Sequence, residues 1–128
     1  MPTLRTRLFF DGGCRPNPGP IETAVVARGV VHQRRNVAVG GSNDAEWRAL
    51  LHAVEVALAL QAQDVEFVGD STLVINQARG LWPCRDVMLA VHLAAFRAAV
   101  APIPRVRLRH VARAKNLAGI ALARNHPR

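Results

Sequence analysis

The apolar positions along the chain change period several times, and each change marks an element. Residues 4–10 read as a strand that runs into Asp11. Residues 23–28 and 30–39 read as two more strands joined by a tight turn near Gly29, which predicts an antiparallel meander. The period then lengthens. Trp47, Leu50, Leu51, Val54 and Leu58 recur at helical spacing, and Ser42, Asn43 or Asp44 can cap that helix. "VEFVG" is a short buried strand closed by Asp70, and "STLVINQARG" is a short helix with Ser71 at its cap and Gly80 at its end. Asp86 caps a further helix through about Val100, which "APIP" stops. "RVRLRHV" alternates as a strand with Arg105, Arg107 and Arg109 on one face, and "KNLAGIALAR" is a final helix. The order is βββ–αβ–αα–βα. It predicts an α/β fold with a five-stranded mixed sheet, three antiparallel strands followed by two parallel ones, covered by helices.

Composition narrows the class. The 128 residues, half of them hydrophobic, fit one globular domain over residues 1–128 with a real core. No apolar run approaches a membrane span, and the start lacks the h-region of a signal peptide. Two cysteines, Cys14 and Cys84, make neither a disulfide framework nor a zinc cluster. The expectation is a cytoplasmic protein with reduced thiols, with no membrane association and no protein partner implied.

Charge is more informative. Seventeen Lys+Arg against nine Asp+Glu give a net +8, and only one of the seventeen, Lys115, is a lysine. No acidic side chain follows Asp86, whereas eight basic ones do. Such a surface suits a polyanion, because guanidinium forks match phosphates.

Three carboxylates stand out against this background. Asp11 ends the first strand and Asp70 the fourth, and if these strands are neighbours their C-terminal ends lie side by side, where open α/β sheets place their sites. Glu46 lies in the first turn of the long helix. Taken singly, Glu46 fits a role at the helix dipole and Asp70 a helix cap. Taken together in a basic chain, the three favour a cation site, since convergent carboxylates do not all ionise cheaply without one. Hard oxygen ligands select Mg²⁺ or Mn²⁺, and two such ions clamp both oxygens of an in-line phosphoryl displacement.

The chain resembles the type 1 ribonuclease H family in its short bacterial and archaeal form. "FFDGGCRPNPGP" is similar to the family's Asp-Gly-Ser/Gly-x-x-x-Asn-Pro-Gly opening, "SNDAEWRALLHAVEVAL" to its Asn-x-x-Glu-Tyr-x-Ala helix, and "VGDSTLVINQARG" to its Asp-Ser-x-x-Val-x-Asn-Gln segment. "RHVARAKNLAGIALA" is similar to its His-Val-x-Arg-x-x-Asn-x-x-Ala-Asp-x-Leu-Ala ending. The resemblance implies a monomeric, metal-dependent endonuclease that hydrolyses the RNA strand of an RNA–DNA hybrid with two Mg²⁺ or Mn²⁺ ions. Asp11 would bridge both metals, and Glu46 and Asp70 would complete the one on the leaving-group side. Gly12, Gly13, Cys14, Asn17, Asn43, Ser71 and Arg113 would contact substrate. Cys14 is read as a small loop residue. Trp82 fits either stacking on the DNA strand or packing against a helix.

Two departures qualify this picture. "ARAK" is too short for the mobile histidine loop of longer family members; Arg113 stands there instead, and His110 is read as a packed strand residue. The last helix should also carry a fourth carboxylate, yet the motif position holds Ile120. The expected substitute is Asn116, one turn earlier, as a fourth metal ligand and catalytic residue, with a helix cap or loop contact as the alternative for that side chain. The rival to an enzyme is a hybrid- or duplex-binding module on the same fold.

Overall fold

The computed structural model describes residues 4–126. Strands β1 (Thr6–Cys14), β2 (Gly19–Ala27) and β3 (Val30–Arg34) form the antiparallel meander, and β4 (Val39–Gly40) adds a short pairing at the start of β2. Helix α1 (Ser42–Ala59) leads to β5 (Asp64–Gly69), α2 (Thr72–Ala78), α3 (Val87–Val100), β6 (Arg105–His110) and α4 (Leu117–Ala123). The main path across the sheet is β3-β2-β1-β5-β6, with β5 parallel to both β1 and β6. The mixed sheet predicted from the pattern is therefore present. No helix among the described residues is long and apolar enough to cross a membrane.

Strand boundaries differ from the expectation at three places, the first being β2, which begins at Gly19 and not at residue 23. The expected strand over 30–39 is two pieces, because Asn36 takes a left-handed backbone (φ 52°) and breaks the edge after Arg34. The first strand does not end at Asp11 but continues to Cys14, paired throughout with β2. Its parallel pairing with β5 stops earlier, at Phe9 opposite Val68. Beyond that point β1 runs on while β5 has ended. Two residues further along each chain are Asp11 and Asp70, which the period of two puts on the same face as Phe9 and Val68.

That alternation also divides the core. Leu8, Phe10, Val65 and Phe67 face α1 and α3, with Trp47 and Phe96 meeting edge to face at 6.2 Å. Phe9, Ala24 and Val26 face α4, through Ala118, Ala121 and Leu122. The turn between β2 and β3 has positive φ at both Arg28 and Gly29, the twist that joins hairpin strands without splaying them. The cap of α1 departs from expectation. It is Gly41, with no side-chain cap bond, because Ser42 Oγ already accepts from Asn17 Nδ2 at 2.6 Å. Asp44 instead turns inward and accepts from His92 Nε2 and Arg48 Nε.

One close approach carries the geometry forward. A Cβ on Gly12 would lie 2.1 Å from the Ala45 carbonyl oxygen, so only glycine lets the first turn of α1 meet β1 there. Gly12→Ala is expected to destabilise the domain by about 1–3 kcal/mol through this clash. Urea unfolding would register it as a lower midpoint at unchanged slope, and an unchanged midpoint would disprove the contact.

Candidate active site

The strand register and the close approach of α1 at Gly12 bring three acids together from three elements. One carboxylate oxygen each from Asp11, Glu46 and Asp70 lies within 4.8 Å of the others. They line one end of a cleft of about 520 Å³ whose rim includes Gly13, Cys14, Ser71 and Arg113. Glu46 comes from the helix on the opposite face to Asp11, and its Oε1 accepts the Gly12 N–H at 2.7 Å. The same glycine that admits α1 thus fixes the carboxylate α1 brings.

The cluster is electrostatically frustrated. Burial pushes Asp11 up to about 6; the hydrogen-bonded Glu46 carboxyl opposes that shift, and the negative charge of Asp70 adds to it. Glu46 is pushed well above the usual carboxylate range, by burial first and then by Asp11. Glu46 and Asp11 are close enough to share a hydrogen bond, which favours a proton on Glu46. Three hard oxygen donors at this spacing fit a divalent cation. Asp11, Glu46 and Asp70 are the residues that would hold it.

Asn116 is not placed as the expected ligand. It is fully buried and caps α4, its Oδ1 accepting from Ala118 N at 3.1 Å. Its Nδ2 donates to the Phe10 carbonyl at 2.9 Å and to Asp70 Oδ2 at 3.3 Å. These partners fix the amide's orientation, since a backbone N–H needs the oxygen and a carbonyl needs the nitrogen. The oxygen is therefore turned into the helix, and it is the amide NH₂ that meets the acids. Asn116 ties α4, β1 and Asp70 together, a positioning role in place of the ligand role. His110 also departs from the packed residue expected. It is exposed, with Nε2 at 3.2 Å from the Asp70 carbonyl oxygen and 3.3 Å from Thr72 Oγ1.

The remaining expected residues fall at or near the cleft. Ser71 caps α2 by accepting from Val74 N. Cys14 Sγ donates to Asn17 Oδ1 at 3.5 Å, and Asn43 is exposed on the first turn of α1. A Cβ on Gly13 would meet nothing within 4 Å, so glycine there opens the cleft and serves no packing need. Trp82 is 45% exposed, which leaves the indole core position to Trp47 alone. On α4, the residue facing the acids is Gly119, where a Cβ would sit 3.3 Å from Asp11 Oδ2, while Ile120 is exposed. Gly119, Leu122, Ala123 and His126 all line the cleft. Their i, i+3, i+4, i+7 spacing was the available signal for this face, as were Arg15 and Glu22 for the rim by their places beside the glycine loop and on β2.

Two outcomes follow from this geometry. A carboxyl whose folded pKa is raised is neutral at no relative penalty below about pH 4. Its penalty then grows as pH rises through about 6 and remains above that. Asp11→Asn removes that penalty, so the metal-free variant should be about 1–3 kcal/mol more stable than the parent at pH 7.5 and no more stable at pH 4. It should also lose the thermal shift that Mn²⁺ gives the parent. Equal melting curves at pH 7.5 would contradict the frustrated cluster. The second outcome concerns Asn116. Asn116→Asp places an acceptor against the Phe10 carbonyl and a charge beside Asp70, so it should destabilise by about 2–4 kcal/mol. A ligand at this position would instead gain metal affinity on that change, and metal titration followed by thermal melting separates the two.

The comparisons agree with this architecture. A family model described as reverse transcriptase-like matches residues 11–126. Ribonuclease HI of Halobacterium salinarum is 35% identical over 126 residues, which cover 93% of this chain and 62% of that protein. The chain thus spans about three-fifths of that curated relative's length. The crystal structure of RNase H1 from the same halophilic archaeon superposes with a TM-score of 0.87 at 30% identity, covering 93% of this chain and 94% of the other. LC11-RNase H1, solved in complex with an RNA/DNA hybrid, gives a TM-score of 0.80 at 25% identity and 88% coverage of both chains. With the family model spanning nearly all of it, the chain belongs to the reverse transcriptase-like family and is built as a type 1 ribonuclease H domain.

Proposed function

We propose that this domain is a divalent-metal-dependent endonuclease that hydrolyses the RNA strand of RNA–DNA hybrids, leaving 5′-phosphate and 3′-hydroxyl ends. The observation that carries the reading is the convergence of Asp11, Glu46 and Asp70 at one end of an open cleft in a chain of net charge +8. A surface serving only to hold phosphates would be weakened by three acids at its centre. Bound there, two Mg²⁺ or Mn²⁺ ions would supply an activated water and neutralise charge on the scissile phosphate. The chain's own groups do the rest. Asp11, Glu46 and Asp70 would hold the ions. Gly13 leaves room for a sugar to approach the backbone, and a 2′-hydroxyl there is what distinguishes RNA from DNA. Arg113 on the cleft rim partly offsets the rise at Asp11. The hybrid held in the complex of LC11-RNase H1 supports the same substrate class.

One observation favours the second reading, a hybrid-binding module of weak or absent turnover. Helix α4 has Ile120 at the motif position of the family's fourth acid and turns Gly119 toward the trio, so it brings no fourth carboxylate. One experiment addresses both readings. An end-labelled hybrid is incubated with the protein at increasing Mg²⁺ or Mn²⁺, beside an RNA duplex and a DNA duplex. Cleavage confined to the RNA strand of the hybrid, lost in Asp70→Asn, is the expected result. Gly119→Asp, run alongside, should lower the metal concentration needed for half-maximal cleavage by about tenfold, since it brings a full charge to the site, and Ile120→Asp, on the exposed side of α4, should lower it less. Binding without cleavage by the parent at any metal concentration would establish the second reading.

A further inference from the structure

The cleft does not end at the carboxylates. It continues into a second groove of about 300 Å³, and the two share Arg15, Glu22 and His126. The far wall of this groove is Arg35 and Asn36, which the break in the β3 edge carries to its rim. Glu22 is the one acid among the described residues lining it, and it is already engaged. His126, from the turn after α4, binds Glu22 Oε1 through Nε2 at 2.5 Å across 104 residues of sequence.

The arginines here differ from six others in the fold that are neutralised by acids. Arg5 and Arg7 pair with Glu66, Arg34 with Glu55, Arg48 with Asp44, and Arg105 and Arg107 with Asp64. Arg15 and Arg35 make no ion pair among the described residues, and both are exposed. Two free guanidinium groups thus flank one groove whose acid is bound elsewhere. Such a groove attracts an anion. Because it opens directly from the carboxylate cleft, the anion it suits is one joined covalently to whatever lies in that cleft.

We propose that Arg15 and Arg35 form a subsite for a backbone phosphate of the RNA strand, flanking the phosphate that is cut. The proposal rests on the hybrid reading above. The Glu22–His126 pair is a positioning element: it keeps the Glu22 carboxylate off the two arginines and holds the end of α4 beside β2. Losing His126 frees that carboxylate to compete with the phosphate.

The test is hybrid binding by fluorescence anisotropy in metal-free buffer, with cleavage followed in parallel. Arg15→Ala/Arg35→Ala should weaken binding about tenfold or more at moderate salt and reduce the slope of log affinity against log salt by about two. KM should rise with kcat nearly unchanged. Arg5→Ala/Arg105→Ala, at the opposite end of the sheet, is the charge-matched control and should change little. Single methylphosphonate substitutions along the RNA strand then locate the contact. One or two flanking positions should weaken parent binding and become silent in the double variant. His126→Ala should also weaken binding, and His126→Ala/Glu22→Gln should restore it, which a merely structural role for His126 would not do. A double variant that binds as tightly as the parent, or that keeps every methylphosphonate effect, overturns the subsite. A parent that binds no hybrid overturns the function reading itself, a result distinct from either.

Discussion

The constraint on which the site depends is a difference in strand length. β1 runs five residues past its last pairing with β5, held by β2 alone, while β5 stops. Asp11 is therefore anchored in a ladder on one side and open on the other, and Asp70 lies at the end of the neighbouring strand. Were β5 as long as β1, the space between them would be closed by hydrogen bonds and no cleft would exist. The glycine at position 12 completes the arrangement from the other face, because it allows α1 to approach until Glu46 meets the Gly12 N–H. Backbone geometry, set by pairing and by one missing Cβ, assembles the carboxylates before any cation is present.

That assembly has an energetic consequence. Burial raises the proton affinity of Asp11 and Glu46, and the charge of Asp70 adds to both. The fold tolerates the strain because its other polar contacts there are complete. Asn116 satisfies a carbonyl of β1, an amide of α4 and an oxygen of Asp70 with one side chain. The amide donates toward the acids without adding charge. It locks the position of Asp70 while leaving the cluster short of positive charge, the condition in which a divalent cation binds most favourably.

The arginine excess divides into two populations. On the face of β5 and β6 away from α1, Asp64 and Glu66 sit among Arg5, Arg7, Arg105 and Arg107, so much of that charge is neutralised within the protein. Near the cleft, Arg15, Arg35 and Arg113 have no such partners among the described residues. Net charge by itself points to a polyanion; unpaired arginines also lie elsewhere on the fold, and it is the position of these three beside the carboxylate cleft that locates the polyanion.

The elements and the three acids were legible in the sequence because their signals are local. Helical spacing from Trp47 to Leu58, Ser71 and Asp86 as caps, and the alternation of residues 105–110 each depend on neighbours within a few residues, and each appears in the structure. Asp11, Glu46 and Asp70 were placed by the same logic, from strand ends and a helix start. What the tertiary structure alone decided involves partners far apart in the chain. Asn116 shares the sequence signature of a ligand and of a cap, and its role is set by a carbonyl 106 residues away. His126 reaches Glu22, 104 residues earlier, only because α4 packs along β2. Which face of α4 meets the acids follows from how Ala118, Ala121 and Leu122 pack on Ala24 and Val26, and that packing turns Gly119 inward. Local periodicity determines that a helix forms; the rotation of a short helix about its axis is determined by the surface it buries against.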